Sequence, residues 1–195
     1  MLTEAQGLGW IGQGPLEDQL RHAGAFTQLL GEGPGVVFDL GSGGGLPALP
    51  CALAAPAWTW VLVESRLRRA DHLVSACRRL GLGDRVDVVH GRAEDVGRDP
   101  ACRTTADVVT ARAFGPPPVV AECAAPLLRV GGRLLVSEPP DDVDRWPEDG
   151  LAQVGLSSAV HRLAEGFAIA ELGQVAACPD RYPRRAGRGV RAPLF

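Results

Sequence analysis

Lysine and asparagine are absent from the 195-residue chain, and all 20 basic residues are arginine. Codon usage in a GC-rich genome accounts for both absences. A single arginine therefore says less about function than its aptitude for bidentate phosphate contacts would suggest. Strong charge of either sign is missing too: a net −3 excludes a protein that grips nucleic acid by its overall charge. The five cysteines (51, 77, 102, 123 and 178) form no CxxC pair and no cysteine–histidine ligand spacing. That argues against a metal site or a disulfide framework and fits a reducing cytoplasm. The opening Met1-Leu2-Thr3-Glu4-Ala5-Gln6 lacks the basic and apolar regions of a secretory leader, so none is expected. The run between Asp39 and Glu64 holds no charge and is long enough to span a bilayer. Its early glycines and the prolines at 47, 50 and 56 divide it into loop, helix, turn and strand, so no transmembrane segment is expected.

What is present centres on Val36–Pro50. Val36-Val37-Phe38-Asp39-Leu40 reads as a short strand buried on both faces. Gly41-Ser42-Gly43-Gly44-Gly45 follows, a turn able to take positive φ and approach a ligand closely. Ala48–Ala55 then reads as a helix packed back on the sheet, completing the first half of a nucleotide-binding βαβ unit. With 46% hydrophobic residues the chain can bury the core of one α/β domain with a modest extension.

The remaining pattern alternates in the same way. Residues 1–14 are glycine-rich and irregular, and Pro15–Leu30 carries the apolar spacing of an amphipathic helix. Strands are expected at Thr59–Val63, Arg85–Val89, Thr105–Thr110 and Arg133–Ser137. Helices are expected at Ser65–Leu80 and from Pro116 to about Arg129, with Val130-Gly131-Gly132 as a turn. Glu138–Glu148, acidic and proline-rich, reads as a loop. Leu156–Leu163 and Phe167–Leu172 read as an antiparallel hairpin closing one edge of the sheet. The C-terminal stretch departs in charge. Fifteen arginines against 23 acids leave residues 1–180 at −8, whereas the five arginines after Asp180 give the tail +5. Such segregation points to an anionic partner.

A glycine-rich first turn in an α/β sheet admits NAD(P), FAD or S-adenosylmethionine. Three features favour S-adenosylmethionine. The glycines are spaced GxGxG rather than GxGxxG. Asp39, two residues ahead of Gly41, can address a cationic amino group. The loop after the third strand, with Ala93 and Glu94, can read the edge of an adenine ring. Glu64 lies 23 positions beyond Gly41, the spacing at which a carboxylate accepts from both ribose hydroxyls. Pro47 and Pro50 remove backbone donors that a pyrophosphate would need. Gly41, Ser42, Gly43 and Gly45 would form the cradle, and Arg112, at the end of the fourth strand, lies where reactants sit. The expected layout is a 1–35 helical extension, a 36–178 cofactor-binding core and a 179–195 basic tail.

Asp39-Leu40-Gly41-Ser42-Gly43-Gly44-Gly45-Leu46-Pro47, Glu64-Ser65 with Arg68-Arg69-Ala70, Arg92-Ala93-Glu94, Thr110-Ala111-Arg112-Ala113 and Tyr182-Pro183-Arg184-Arg185-Ala186-Gly187 occur together in this chain. In this combination it resembles the GidB/RsmG family, bacterial methyltransferases that modify guanine N7 of small-subunit (16S) ribosomal RNA. The resemblance runs from about Arg21 to the C-terminus. It implies a Rossmann-like class I S-adenosylmethionine-dependent methyltransferase fold, α/β, with a mostly parallel sheet and an antiparallel C-terminal hairpin. By the same resemblance Gly41, Leu46, Ala93, Glu94 and Arg112 would contact the cofactor, and Glu64 would hold its ribose.

Guanine N7 carries a free lone pair and no proton, so methylation there needs orientation and electrostatics rather than a general base. Arg112 would orient the cofactor carboxylate or the base. Arg181, Arg184, Arg185, Arg188 and Arg191 would hold RNA phosphates of the small ribosomal subunit. Two positions depart from the family pattern. Ala25-Phe26 stands where the family usually has Asp-Ser, and Glu138-Pro139 where it usually has Lys-Gly. They leave two further readings open, a methyltransferase acting on a small-molecule acceptor and a non-catalytic cofactor-binding module of the ribosome.

Overall fold

A computed structural model of the chain describes residues 1–139 and 145–195. After a short helix α1 (Leu2–Gly7) and a longer α2 (Leu16–Leu30), strands and helices alternate. They run β1 (Gly35–Leu40), α3 (Ala48–Ala54), β2 (Trp58–Glu64), α4 (Leu67–Arg79), β3 (Val86–His90), α5 (Ala93–Val96), β4 (Ala106–Ala111), α6 (Pro117–Ala124) and β5 (Leu128–Ser137). Helix α7 (Glu148–Ala152), hairpin strands β6 (Val160–Ala164) and β7 (Phe167–Gly173), and α8 (Arg188–Arg191) complete the chain.

The described strands form one sheet in the order β3-β2-β1-β4-β5-β7-β6. β1 to β5 pair in parallel, and β7 pairs antiparallel with both β5 and β6. Chain order reverses between β1 and β4, and such a switch point opens a crevice beyond the carboxyl ends of the strands. Alternation along β1 divides the core. Val37 packs with α2, α3 and α4 on one face, whereas Phe38 and Leu40 pack with α6 and α7 on the other. Both faces are covered, which is why β1 reads as a nearly continuous apolar run. This is a Rossmann-like α/β fold, mostly parallel, with the expected antiparallel C-terminal hairpin.

The local differences from the sequence reading have physical causes. Residues 2–7 are helical rather than irregular, because Ala5 is buried while the Gln6 side chain donates to the Gly12 and Gly14 carbonyls. The helix expected to reach about Arg129 ends at Ala124, just before Pro126, whose ring cannot sit inside a helix. Gly131 and Gly132 lie within β5 instead of forming a turn. A Cβ on Gly132 would stand 3.0 Å from three backbone oxygens, so the strand passes there only without a side chain. Glu148–Ala152 is a helix behind Pro147, with Glu148 and Asp149 in its first turn, a start signal hidden in an acidic stretch. The loop expected over Glu138–Glu148 lies partly outside the described residues. Leu156 makes only an isolated bridge to Gln174, and the hairpin begins at Val160.

All five cysteines are free thiols. Among the described residues no helix is long and apolar enough to cross a membrane.

Candidate functional site

β1 delivers its last residues to the switch point and turns sharply. Gly41, Gly43 and Gly45 all have positive φ (66°, 54° and 99°), a region that L side chains rarely adopt. The turn is tied to the end of β2: the N–H groups of Gly41 and Ser42 donate to the Val63 carbonyl at 2.9 and 3.1 Å. A Cβ on Gly41 would lie 2.8 Å from the Phe114 ring, so the glycine admits an aromatic wall. Gly45 has a different task. Its closest neighbours are Leu49 and Leu73, so it seats the turn on α3 and α4.

Two clefts flank this turn. The larger, about 410 Å³, runs between Gly41–Gly44 with Leu46 on one side and Trp10, Ile11, Arg69 and Arg112 on the other. The smaller, about 150 Å³, is bounded by Gly41, Ser65, Ala93, Glu94 and Phe114. Of the expected cofactor residues, Gly41, Ser42, Gly43, Leu46 and Arg112 thus meet at one cleft, and Ala93 and Glu94 at the other.

Asp39 and Glu64 stand behind the turn, 1% and 4% exposed. Thr110 Oγ1 donates to Asp39 Oδ1 at 2.7 Å, while Oδ2 finds no partner among the described residues. Burial pushes the Asp39 carboxyl up to about 7, against the opposing pull of Thr110, Ser42 and Arg112. Across from it, Arg112 donates through Nη2 to the Gln19 side chain, and its buried Nη1 is also without a partner. Burial lowers the pKa of Arg112, with Asp39 opposing. Glu64 is held by two backbone donors, Gly43 N–H to Oε2 at 2.9 Å and Arg66 N–H to Oε1 at 2.8 Å. It fastens the glycine turn to the start of α4 and keeps acceptor capacity to spare, since a carboxylate has about four lone-pair positions.

Sequence reasoning missed the N-terminal contribution. Trp10 and Ile11 roof the larger cleft, and the Arg69 guanidinium lies 6.0 Å from the Trp10 ring centroid. The signal available was an aromatic and a β-branched residue set among the glycines of residues 7–14. Gln19, the partner of Arg112, carried no signal.

His22 presents Nε2 at 3.0 Å from Ser137 Oγ and stacks on Phe167 at 4.4 Å. Burial, reinforced by Arg112, lowers its pKa to about 4, so it is neutral near pH 7. Ala25 and Phe26 are fully buried against α3 and the sheet, so both belong to the interior and neither faces a substrate. His90 is a strand-end residue near the Ser65 carbonyl at 3.2 Å.

The tail divides into an anchor and a free part. Cys178 and Tyr182 are buried in the core. Arg184 donates from its backbone N–H and Nε to Glu122 Oε1 at 2.7 and 2.8 Å, and from Nη2 to Oε2 at 2.6 Å. Its guanidinium is therefore committed to an interior carboxylate, unlike those of Arg181, Arg185, Arg188 and Arg191, which belong to exposed residues. Gly187 N–H donates to Glu94 Oε1 at 3.2 Å, bringing the tail to the smaller cleft. Glu122→Gln is expected to cost about 2–3 kcal/mol, less than a fully buried pair because Arg184 is partly exposed. Thermal melting should fall by about 5–10 °C. An unchanged midpoint would mean that the pair does not hold the tail.

The comparisons with known proteins bear on the family and the fold. The family model described as rRNA small subunit methyltransferase G (GidB) matches residues 19–146. The "Ribosomal RNA small subunit methyltransferase G" of Rubrobacter xylanophilus is 40% identical over 171 residues, 82% of this chain and 65% of the relative. That of Lactobacillus delbrueckii subsp. bulgaricus is 35% identical over 164 residues, 80% of this chain and 68% of the relative. The chain thus spans about two thirds of their length. Among solved structures, cofactor-bound Rv0187 from MTB superposes with a TM-score of 0.61 at 20% identity, covering 89% of this chain and 87% of that one. The S-adenosylmethionine-dependent methyltransferase SibL superposes at 0.59 and 16% identity, covering 73% and 51%. Those two likenesses concern the fold. The match over residues 19–146, with identities of 35–40% across four fifths of the chain, places it in the rRNA small subunit methyltransferase G (GidB) family.

Proposed function

We propose that the protein transfers a methyl group from S-adenosylmethionine to guanine N7 of small-subunit (16S) ribosomal RNA. Family membership carries the acceptor, and the cofactor part of this reading is carried by two buried atoms without a partner among the described residues, Asp39 Oδ2 and Arg112 Nη1. An unsatisfied carboxylate oxygen and an unsatisfied guanidinium nitrogen in one site are costly unless a ligand of matching charges completes them. The ammonium and carboxylate of an amino acid supply those charges, so the residues present fit the methionine end of the cofactor. When bound, S-adenosylmethionine supplies an electrophilic methyl group on a sulfonium.

The chain's own residues bind and orient. Asp39 takes the ammonium and Arg112 the carboxylate. The spare acceptor positions of Glu64 suit ribose hydroxyls, and Ala93 and Glu94 suit the adenine edge. Trp10 and Ile11 exclude water from above the turn. His22, neutral at working pH, has no proton to remove from N7. Residues 36–178 supply this binding core, 1–35 an extension that covers it, and 179–195 a basic tail that faces RNA.

Arg181, Arg185, Arg188 and Arg191 would neutralise phosphates, with Arg184 holding the tail in place. Changing those four to glutamine should lower affinity for 16S RNA by about 100-fold near 0.1 M salt. The log–log salt slope should fall by about 3. Cofactor affinity, measured by calorimetry, should stay the same. An unchanged slope would remove the tail from the RNA interface.

A further inference from the structure

Glu138 follows the end of β5, and an exposed acid there would repel RNA phosphate. The structure places it otherwise. Its side chain is 5% exposed, and Oε2 accepts from Arg145 Nη1 at 2.9 Å. Oε1 accepts from the Trp146 indole N–H at 3.1 Å. Its backbone N–H donates to the Ala168 carbonyl at 2.9 Å, fixing the residue beside the hairpin. The charge is therefore paired and turned inward.

It turns toward a third pocket, about 150 Å³, beyond the carboxyl ends of β4 and β5. Phe114, Val136 and Trp146 form its apolar walls, and Ser137, Glu138 and Arg145 its polar ones. This pocket shares Ala113 with the larger cofactor cleft and Phe114 with the smaller, so an occupant would lie alongside both. Two donors leave part of the Glu138 acceptor capacity for that occupant. Surrounding apolar walls make such hydrogen bonds count for more than they would in water.

We infer that Glu138 is the residue that selects guanine, accepting from the N1–H and N2–H groups of a base inserted between Phe114 and Trp146. The inference rests on the reading that the acceptor is a guanine. A carboxylate is acceptor-only, and guanine alone among the four RNA bases offers two adjacent donors on its Watson–Crick edge. Adenine would turn its N1 lone pair against the same oxygens. Enzymes that modify an extruded base read it by that edge and by stacking. N7 lies across the ring system from N2, so a base held this way keeps N7 free for the neighbouring cleft.

The test couples a base change to a residue change. Small-subunit RNA is prepared with guanine or inosine at the modified position, inosine lacking only the N2 amino group. The wild-type protein should prefer guanine by about tenfold or more in kcat/KM, as expected for a hydrogen bond to a charged group. Glu138→Gln should bring that ratio close to one. A purely structural role for Glu138 would slow both substrates alike, and an unchanged ratio would overturn the inference. A second measurement needs no turnover. Guanosine and inosine monophosphates are titrated, with S-adenosylhomocysteine present, while the Trp146 indole N–H resonance is followed. Guanosine should bind more tightly, and Glu138→Gln should abolish the difference. Guanosine selectivity without RNA methylation would sink the ribosomal reading and leave this inference standing. RNA methylation with no dependence of base preference on Glu138 would do the reverse. Absence of a guanosine preference in both measurements overturns it.

Discussion

Arg112→Ala is expected to weaken cofactor binding and to lower kcat/KM for methyl transfer by at least about 100-fold. A charge-assisted hydrogen bond in a buried site contributes roughly 1.5–3 kcal/mol. Losing Arg112 also removes a cation that lowers the pKa of Asp39. The Gln19 contact from α2 goes with it, so the extension over the cleft loses a tether. Arg112→Lys should recover little, because a single ammonium cannot serve Gln19 and a ligand carboxylate in the same planar geometry. Calorimetry and steady-state kinetics separate the two components. Near-normal values for both would remove Arg112 from the site.

Asp39→Asn should separate stability from function. Burial has raised the folded-state pKa of Asp39 to about 7, above its ordinary value of 3.8. Between those two values the folded chain holds a proton that the unfolded chain releases. Stability from this group is therefore full at low pH and declines as pH rises through 7. Asparagine stays neutral, keeps an oxygen for Thr110 and escapes that decline. At pH 8 the variant should be more stable by about 1–3 kcal/mol, and at pH 4 much closer to the wild type. Cofactor affinity should move the other way, falling about 10- to 100-fold at pH 8. In the wild-type protein affinity should weaken as pH drops from 8 to 6, because a protonated Asp39 no longer attracts an ammonium. A variant no more stable at pH 8, or a cofactor affinity indifferent to pH across that range, would contradict this placement of the charge.

Why some of this was legible in the sequence and some was not follows from the range of the interactions. Strand, glycine turn and helix at Val36–Ala55 are local patterns, and the acid at 64 falls at a spacing fixed by βαβ geometry. The role of Glu64 as a clamp on both the glycine turn and α4 appears only when Gly43 and Arg66 are brought around it. Trp10 and Ile11 lie in a glycine-rich stretch with no periodicity, and their place over the cleft is a tertiary fact. In the tail, composition cannot say which arginine is consumed internally. Glu122, an acid within the apolar run of α6, was the available hint that one would be. Glu138 read as a misplaced charge until Arg145 and Trp146 were seen to hold it. Single residues decide two further differences: α6 stops ahead of Pro126, short of the expected Arg129, and α7, where no helix is expected, starts behind Pro147.

The central claim is tested most directly by incubating the protein with methyl-labelled S-adenosylmethionine and small ribosomal subunits, or their RNA, from a host lacking this activity. The RNA is then digested and chromatographed. A labelled peak of 7-methylguanosine is the expected result. Cofactor binding without label in that nucleoside would contradict the claim and point to another acceptor or to a silent binding module.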